Sequence, residues 1–171
     1  PEAQLIGAVN TVLNDNGKLI GYNTDGYGFM QSVRDAGHDI TGKNITVMGV
    51  GGASMAICAQ SALDGAASVH IFARRTSRYW NRTQKFAENL SAKTGCQVCL
   101  FDNDDHTALR DSIAQSYLLI NATSVGMVPD IDDTIIKDTS LFHPELVVAD
   151  VVYEPQETRL LREAKAVGCQ T

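Results

Sequence analysis

Ile45-Thr46-Val47-Met48 runs straight into Gly49-Val50-Gly51-Gly52-Ala53-Ser54, and residues 54–63 then carry helical spacing. A strand, a glycine bend and a helix in immediate succession form the opening unit of a dinucleotide-binding fold. In that reading Gly49 permits the tight turn, while Gly51 and Gly52 let backbone N–H groups approach a pyrophosphate. Small Ala53 and Ser54 let the helix pack closely on the strand, and the helix N-terminus faces the anion. Ser54 stands where the usual pattern has its third glycine and is small enough to replace it. Glycines also build strand-to-helix turns for steric reasons alone, so the bend takes its weight from what surrounds it.

Downstream, short apolar runs alternate with helical patterns, as strand–helix–strand units of a parallel sheet require. Strands are expected at residues 44–48, 68–73, 97–101, 117–121 and 147–151, all apolar without polar alternation and hence covered on both faces. Helices are expected at 54–63, 82–92, 107–114 and 156–167, and Asp102 to Asp105 reads as a solvated turn and helix start. The expected class is α/β: a Rossmann-like, doubly wound, mainly parallel sheet over residues 42–171.

Residues 1–41 read differently. Residues 7–12 and 18–22 resemble two strands joined by a turn-rich link at 14–17, which makes a hairpin. Thr24 or Asp25 is suited to cap a helix whose apolar stripe is Phe29, Met30 and Val33. This hairpin–helix segment precedes the nucleotide fold and is placed to border a neighbouring domain.

Composition excludes several classes. The 171 residues are 44% hydrophobic and 20% charged, with 14 basic against 20 acidic side chains and a net charge of −6. That is a globular composition with no polyanion-binding surface, so nucleic acid is excluded as a partner. No apolar run reaches the roughly 18 residues of a membrane span, and the opening residues lack a signal-peptide pattern, so a cytoplasmic protein without membrane attachment is expected. The start at Pro1 and the end at Thr171 suggest a fragment or a processed chain. Of the four cysteines only Cys96 and Cys99 have redox-like spacing, and their strand context makes all four structural thiols. His38, His70, His106 and His143 have no metal spacing, and no metal site is expected.

After the second strand of the unit, NAD-preferring folds carry a carboxylate that binds the adenosine ribose. Here the sequence reads Phe72-Ala73-Arg74-Arg75-Thr76-Ser77-Arg78, with no carboxylate. Arg74, Arg75 and Arg78 can pair with a 2′-phosphate through charge-assisted hydrogen bonds, which favours NADP and leaves NAD open. The alternative is three solvating surface arginines.

Five motifs carry a family resemblance in order and spacing: Gly7-Ala8-Val9-Asn10-Thr11; Gly21-Tyr22-Asn23-Thr24-Asp25-Gly26-Tyr27-Gly28; the glycine bend; Asn121-Ala122-Thr123-Ser124-Val125-Gly126-Met127; and Asp150-Val151-Val152-Tyr153-Glu154-Pro155. Together they resemble the shikimate/quinate dehydrogenase family, over its C-terminal cofactor domain and the segment joining that to the substrate domain. The resemblance implies reversible, NADP-linked reduction of 3-dehydroshikimate to shikimate in aromatic amino acid biosynthesis. It implies that Asn10 and Asp25 hold substrate hydroxyls and that Tyr153 lies near the substrate. It also implies that Thr123, Ser124 and Met127 belong to the loop lining the cofactor near its nicotinamide. Asp25 would work in acid–base chemistry beside a lysine of the N-terminal domain. No motif for that lysine is present, since Lys18 and Lys43 sit in other contexts, and a family helix carrying a substrate-binding glutamine would follow Thr171.

From the residues alone, Asp25 reads rather as a helix cap and Tyr153 rather as an anchored loop aromatic. The expectation is an NAD(P)-dependent dehydrogenase, monomeric or homodimeric, of which this piece binds cofactor and is inactive by itself. The alternatives are an NAD-using quinate/shikimate dehydrogenase and a non-catalytic dinucleotide-sensing module.

Overall fold

The computed structural model describes residues 2–171. Its elements in chain order are α1 (Glu2–Ile6), β1 (Thr11–Asp15), β2 (Lys18–Tyr22), α2 (Asp25–Asp35), β3 (Asn44–Met48), α3 (Gly52–Leu63) and β4 (Ser68–Ala73). They continue with α4 (Trp80–Thr94), β5 (Gln97–Asp102), α5 (His106–Gln115), β6 (Leu118–Asn121), a short 3-10 turn (Thr139–Leu141), β7 (Val147–Asp150) and α6 (Arg159–Val167).

Five strands form one parallel sheet in the order β5-β4-β3-β6-β7. The order reverses between β3 and β6, which pair Met48 with Asn121 at their C-terminal ends. That reversal opens the crevice where open α/β sheets hold ligands. Successive residues of a strand point to opposite faces, and each face here has its own core. Ile45, Val47, Val69, Ile71, Leu118 and Ile120 pack with residues of α2, α3 and α4 on one side. Met48, Phe72, Leu119 and Val148 pack with Ile113 of α5 and Leu160 of α6 on the other. This double cover explains why the strands read as unbroken apolar runs, and the doubly wound α/β class is the one expected.

The helices α2 and α3 approach closely because Gly26 has no side chain: a Cβ there would strike the Ala56 carbonyl. Asp105 caps α5 by accepting from the Ala108 amide at 2.9 Å, as the acidic turn suggested. The last helix starts at Arg159 rather than residue 156, since Thr158 occupies its N-cap and its hydroxyl oxygen accepts from the Leu161 amide.

The hairpin is present but shifted. Its first strand is Thr11–Asp15, paired Asp15 with Lys18, and the link is only Asn16-Gly17. Both turn residues have positive φ, 50° and 92°, the geometry that two-residue hairpins demand and Asn-Gly supplies. Residues 2–6, unassigned from sequence, form α1, which packs on α3 and α4. Cys58, Cys96 and Cys169 are buried and Cys99 half-buried, all as free thiols. Burial pushes the Cys58 thiol up to about 12 and Cys96 to about 11, which keeps both protonated.

Candidate active site

The glycine bend is held from behind and open in front. Gly49 has φ +111°, and a Cβ on it would lie 2.8 Å from the Ala122 carbonyl oxygen. Its amide donates to the Phe72 carbonyl at 2.8 Å, and the buried Ser54 hydroxyl donates to its carbonyl at 2.5 Å. So Ser54 adds a tie that a third glycine could not. Gly51 then occupies the N-cap of α3 without any side-chain cap. A Cβ on Gly51 or Gly52 meets nothing within 4 Å. The first amides of α3 therefore have neither an N-cap side chain nor a glycine Cβ to shield them, which is the arrangement an incoming anion completes.

Beside this bend lies a cleft of about 760 Å³ over the ends of β3, β4 and β6. It gathers Gly49, Gly51, Arg74, Arg78, Thr123 and Ser124 of the residues read from sequence. The other sequence-read positions lie elsewhere. Arg75 turns to the far side, its guanidinium 4.8 Å above the Trp80 ring, in a separate groove with Cys99 and Glu88. Gly52 lines a smaller cavity of about 180 Å³ on the other side of the bend, with Ala8 and Arg82. Ala53, Met127 and Tyr153 are exposed and outside the cleft lining, Tyr153 at 87%.

The cleft also holds residues that the sequence reading missed. Tyr79 lines both cavities, and its hydroxyl accepts from the Arg78 guanidinium at 2.6 Å. Ser77 lies beside it. Asn103, directly after β5, has a buried side-chain oxygen with no hydrogen-bond partner. Its position at the end of a parallel strand was the available signal, because ligands collect at those ends.

The second cluster joins the hairpin to α2. The Asn10 side-chain amide donates to the Asp25 carboxylate at 2.6 Å and to the Thr24 hydroxyl at 3.2 Å. Its carbonyl oxygen accepts from the Thr24 amide at 3.0 Å and the Thr11 hydroxyl at 3.0 Å. Neither Thr24 nor Asp25 makes a side-chain cap to α2. Thr24 holds the N-cap position of α2, one of the two expected, but without a side-chain cap bond, because Asn10 engages the side chains of both Thr24 and Asp25. What remains is an exposed carboxylate fixed by a fully engaged amide, chemistry suited to binding hydroxyl groups.

In the third cluster, the Thr123 amide and hydroxyl both donate to the Asn121 side-chain oxygen, at 3.1 and 2.7 Å. The Thr123 hydroxyl in turn accepts from the Val125 amide at 3.1 Å. This fixes the loop after β6 at the cleft wall opposite the arginines.

The chain is 50% identical over all 171 residues to the shikimate dehydrogenase (NADP(+)) of Listeria innocua, of which it covers 58%. It is 41% identical to the quinate/shikimate dehydrogenase of Escherichia coli O139:H28, covering 59% of that protein. A solved shikimate 5-dehydrogenase from Listeria monocytogenes, in complex with shikimate and NAD, superposes with a TM-score of 0.96 at 48% identity, over the whole chain and 59% of its own. The chain thus spans a little under three-fifths of the length of these relatives and matches their C-terminal part. No family model matches.

Proposed function

We infer that this chain belongs to the shikimate/quinate dehydrogenase family and is the NADP-binding part of an oxidoreductase that interconverts 3-dehydroshikimate and shikimate. The observation that carries this reading is the junction of two features in one cleft. The bare glycine bend suits a pyrophosphate, and Arg74 with Arg78 suits an adenosine 2′-phosphate where an NAD-binding fold would place a carboxylate. A nicotinamide held there would supply the hydride chemistry for interconverting a ring carbonyl and a ring alcohol of the substrate.

This chain's own residues do the rest. Backbone amides of Gly51 to Ser54 hold the phosphates and thereby fix the cofactor's depth in the crevice. The loop of Thr123, Ser124 and Met127 walls the nicotinamide end. Asn10 orients Asp25, and the two hold substrate hydroxyls, with Tyr153 near the substrate. Asp25 shares the proton transfer with a lysine of the substrate domain, to which residues 1–41 serve as the border, residues 42–171 being the cofactor domain. The whole dehydrogenase is cytoplasmic, acts on a small cyclic polyol, and is monomeric or homodimeric. No described helix is long and apolar enough to cross a membrane.

One observation favours a second reading, the use of NAD: the L. monocytogenes relative was solved with that cofactor. Calorimetric titration of this chain with NADP and NAD separates the two. The arginine pair predicts NADP tighter by about tenfold or more, the size of one charge-assisted hydrogen bond. NAD binding as tightly or more tightly contradicts it.

A further inference from the structure

Asp150 ends β7 directly opposite Asn121 at the end of β6. Three neutral donors converge on its carboxylate. The Asn121 side-chain amide and the Val152 backbone amide donate to one oxygen at 3.0 and 2.9 Å, and the Thr158 hydroxyl donates to the other at 2.8 Å. The same Asn121 amide also donates to the Val125 carbonyl at 3.1 Å, while its side-chain oxygen takes both Thr123 donors. Both side-chain polar atoms of Asn121, 1% exposed, are thus committed, the oxygen to Thr123 and the nitrogen to Val125 and Asp150.

Those loops are the ones that carry proposed ligand residues. Residues 122–127 bear Thr123, Ser124 and Met127; residues 151–158 bear Tyr153. They meet again where the Val128 amide donates to the Glu154 carbonyl at 3.2 Å. Gly126, with φ +88°, would strain any side chain; a Cβ there would come within 3.3 Å of the Asp133 carbonyl oxygen and touch Thr158 at an ordinary 3.7 Å. Burial is the largest influence on the Asp150 carboxyl and pushes its pKa up, because desolvation costs the ion more than its three hydrogen bonds return. An amide at this position would avoid that cost but could accept on one atom only.

We propose that Asn121 and Asp150 form a clasp that holds the 122–127 and 151–158 loops in one register, making Asp150 a positioning residue for the nicotinamide half of the cofactor. The inference rests on the dinucleotide reading of the cleft and deepens it. Asp150 touches no ligand; it acts through Thr123 on one side and the Tyr153 loop on the other. A cofactor's adenosine end, held at β4, does not sense it.

The test uses the 171-residue chain and two ligands: NADP, and adenosine 2′,5′-bisphosphate, which lacks the nicotinamide. Asp150→Asn is expected to weaken NADP about tenfold, the size of one lost hydrogen bond to a charged group, and to change the bisphosphate by less than about twofold. Thr158→Val, which removes one donor to Asp150 on the Tyr153 side together with the α6 cap, should show the same split at smaller size, and serves if Asp150→Asn does not fold. Equal losses for both ligands, or no loss for either, overturn the clasp while leaving the cofactor site standing. An unaltered chain that binds neither ligand overturns the dinucleotide reading and the clasp together.

Discussion

The parallel sheet and the hairpin are both made of short strands rich in Val, Leu and Ile, yet they end in opposite surroundings. In β3 every residue after the first is buried, whereas every residue of β1 is exposed and Leu19 of β2 is 71% exposed. Strand composition alone does not decide burial; what covers the two faces does. The sheet has helices on both sides, and its strands are consequently buried. The hairpin has its own turn and ladder and no such cover, and a lone two-stranded ribbon contributes little independent stability. The Asn10–Asp25 cluster sits where these two regimes meet, with Asn10 at the hairpin's edge and Asp25 on a helix packed against α3.

Three changes press on this contrast. Gly49→Val should have the largest effect: strain at positive φ and overlap with the Ala122 carbonyl together cost about 4 kcal/mol, and dinucleotide binding disappears with the bend. Denaturant unfolding read alongside ligand titration measures both. Next comes a matched pair. Ile71→Ala in β4, at 0% exposure, should destabilise by about 3 kcal/mol, while Leu19→Ala in the hairpin should stay within about 0.5 kcal/mol. Similar losses from the two would mean that the hairpin is held more firmly than its exposure implies.

The smallest effect is in the pH dependence. Burial raises the folded-state pKa of Asp150 above its unfolded value, so its contribution is fully present below the unfolded pKa and is lost as pH rises through the raised one. Unfolding free energies of the unaltered chain and of Asp150→Asn, compared from acid to neutral pH, should therefore shift in the variant's favour as pH rises. A difference independent of pH would contradict the raised carboxyl.

The same contrast explains what could be read in advance. Residues buried on both faces announce themselves, and β3, β4 and β5 lie within a residue or so of their expected bounds. The hairpin announced its existence but not its register: Gly7 to Val12 looks like a strand, and only the double positive φ of Asn16-Gly17 places the strand's start four residues later, at Thr11. The helix α1 is five residues long with Ile6 its one buried side chain, so packing on α3 and α4 rather than propensity makes it a helix. In the site, the glycine bend was legible because sequence neighbours build it. Arg75 could not be told from Arg74, since only the direction of one side chain separates the cleft from the Trp80 groove. Asn103 and the Asp150–Asn121 pairing depend on strand register and became visible only with the sheet assembled.

A crystal structure of the chain grown with NADP tests the account most directly. The pyrophosphate is expected on the amides at the start of α3, Gly51 to Ser54, with the 2′-phosphate between Arg74 and Arg78. Saturating NADP that leaves the cleft empty, or a dinucleotide whose phosphates lie away from that bend, would contradict it.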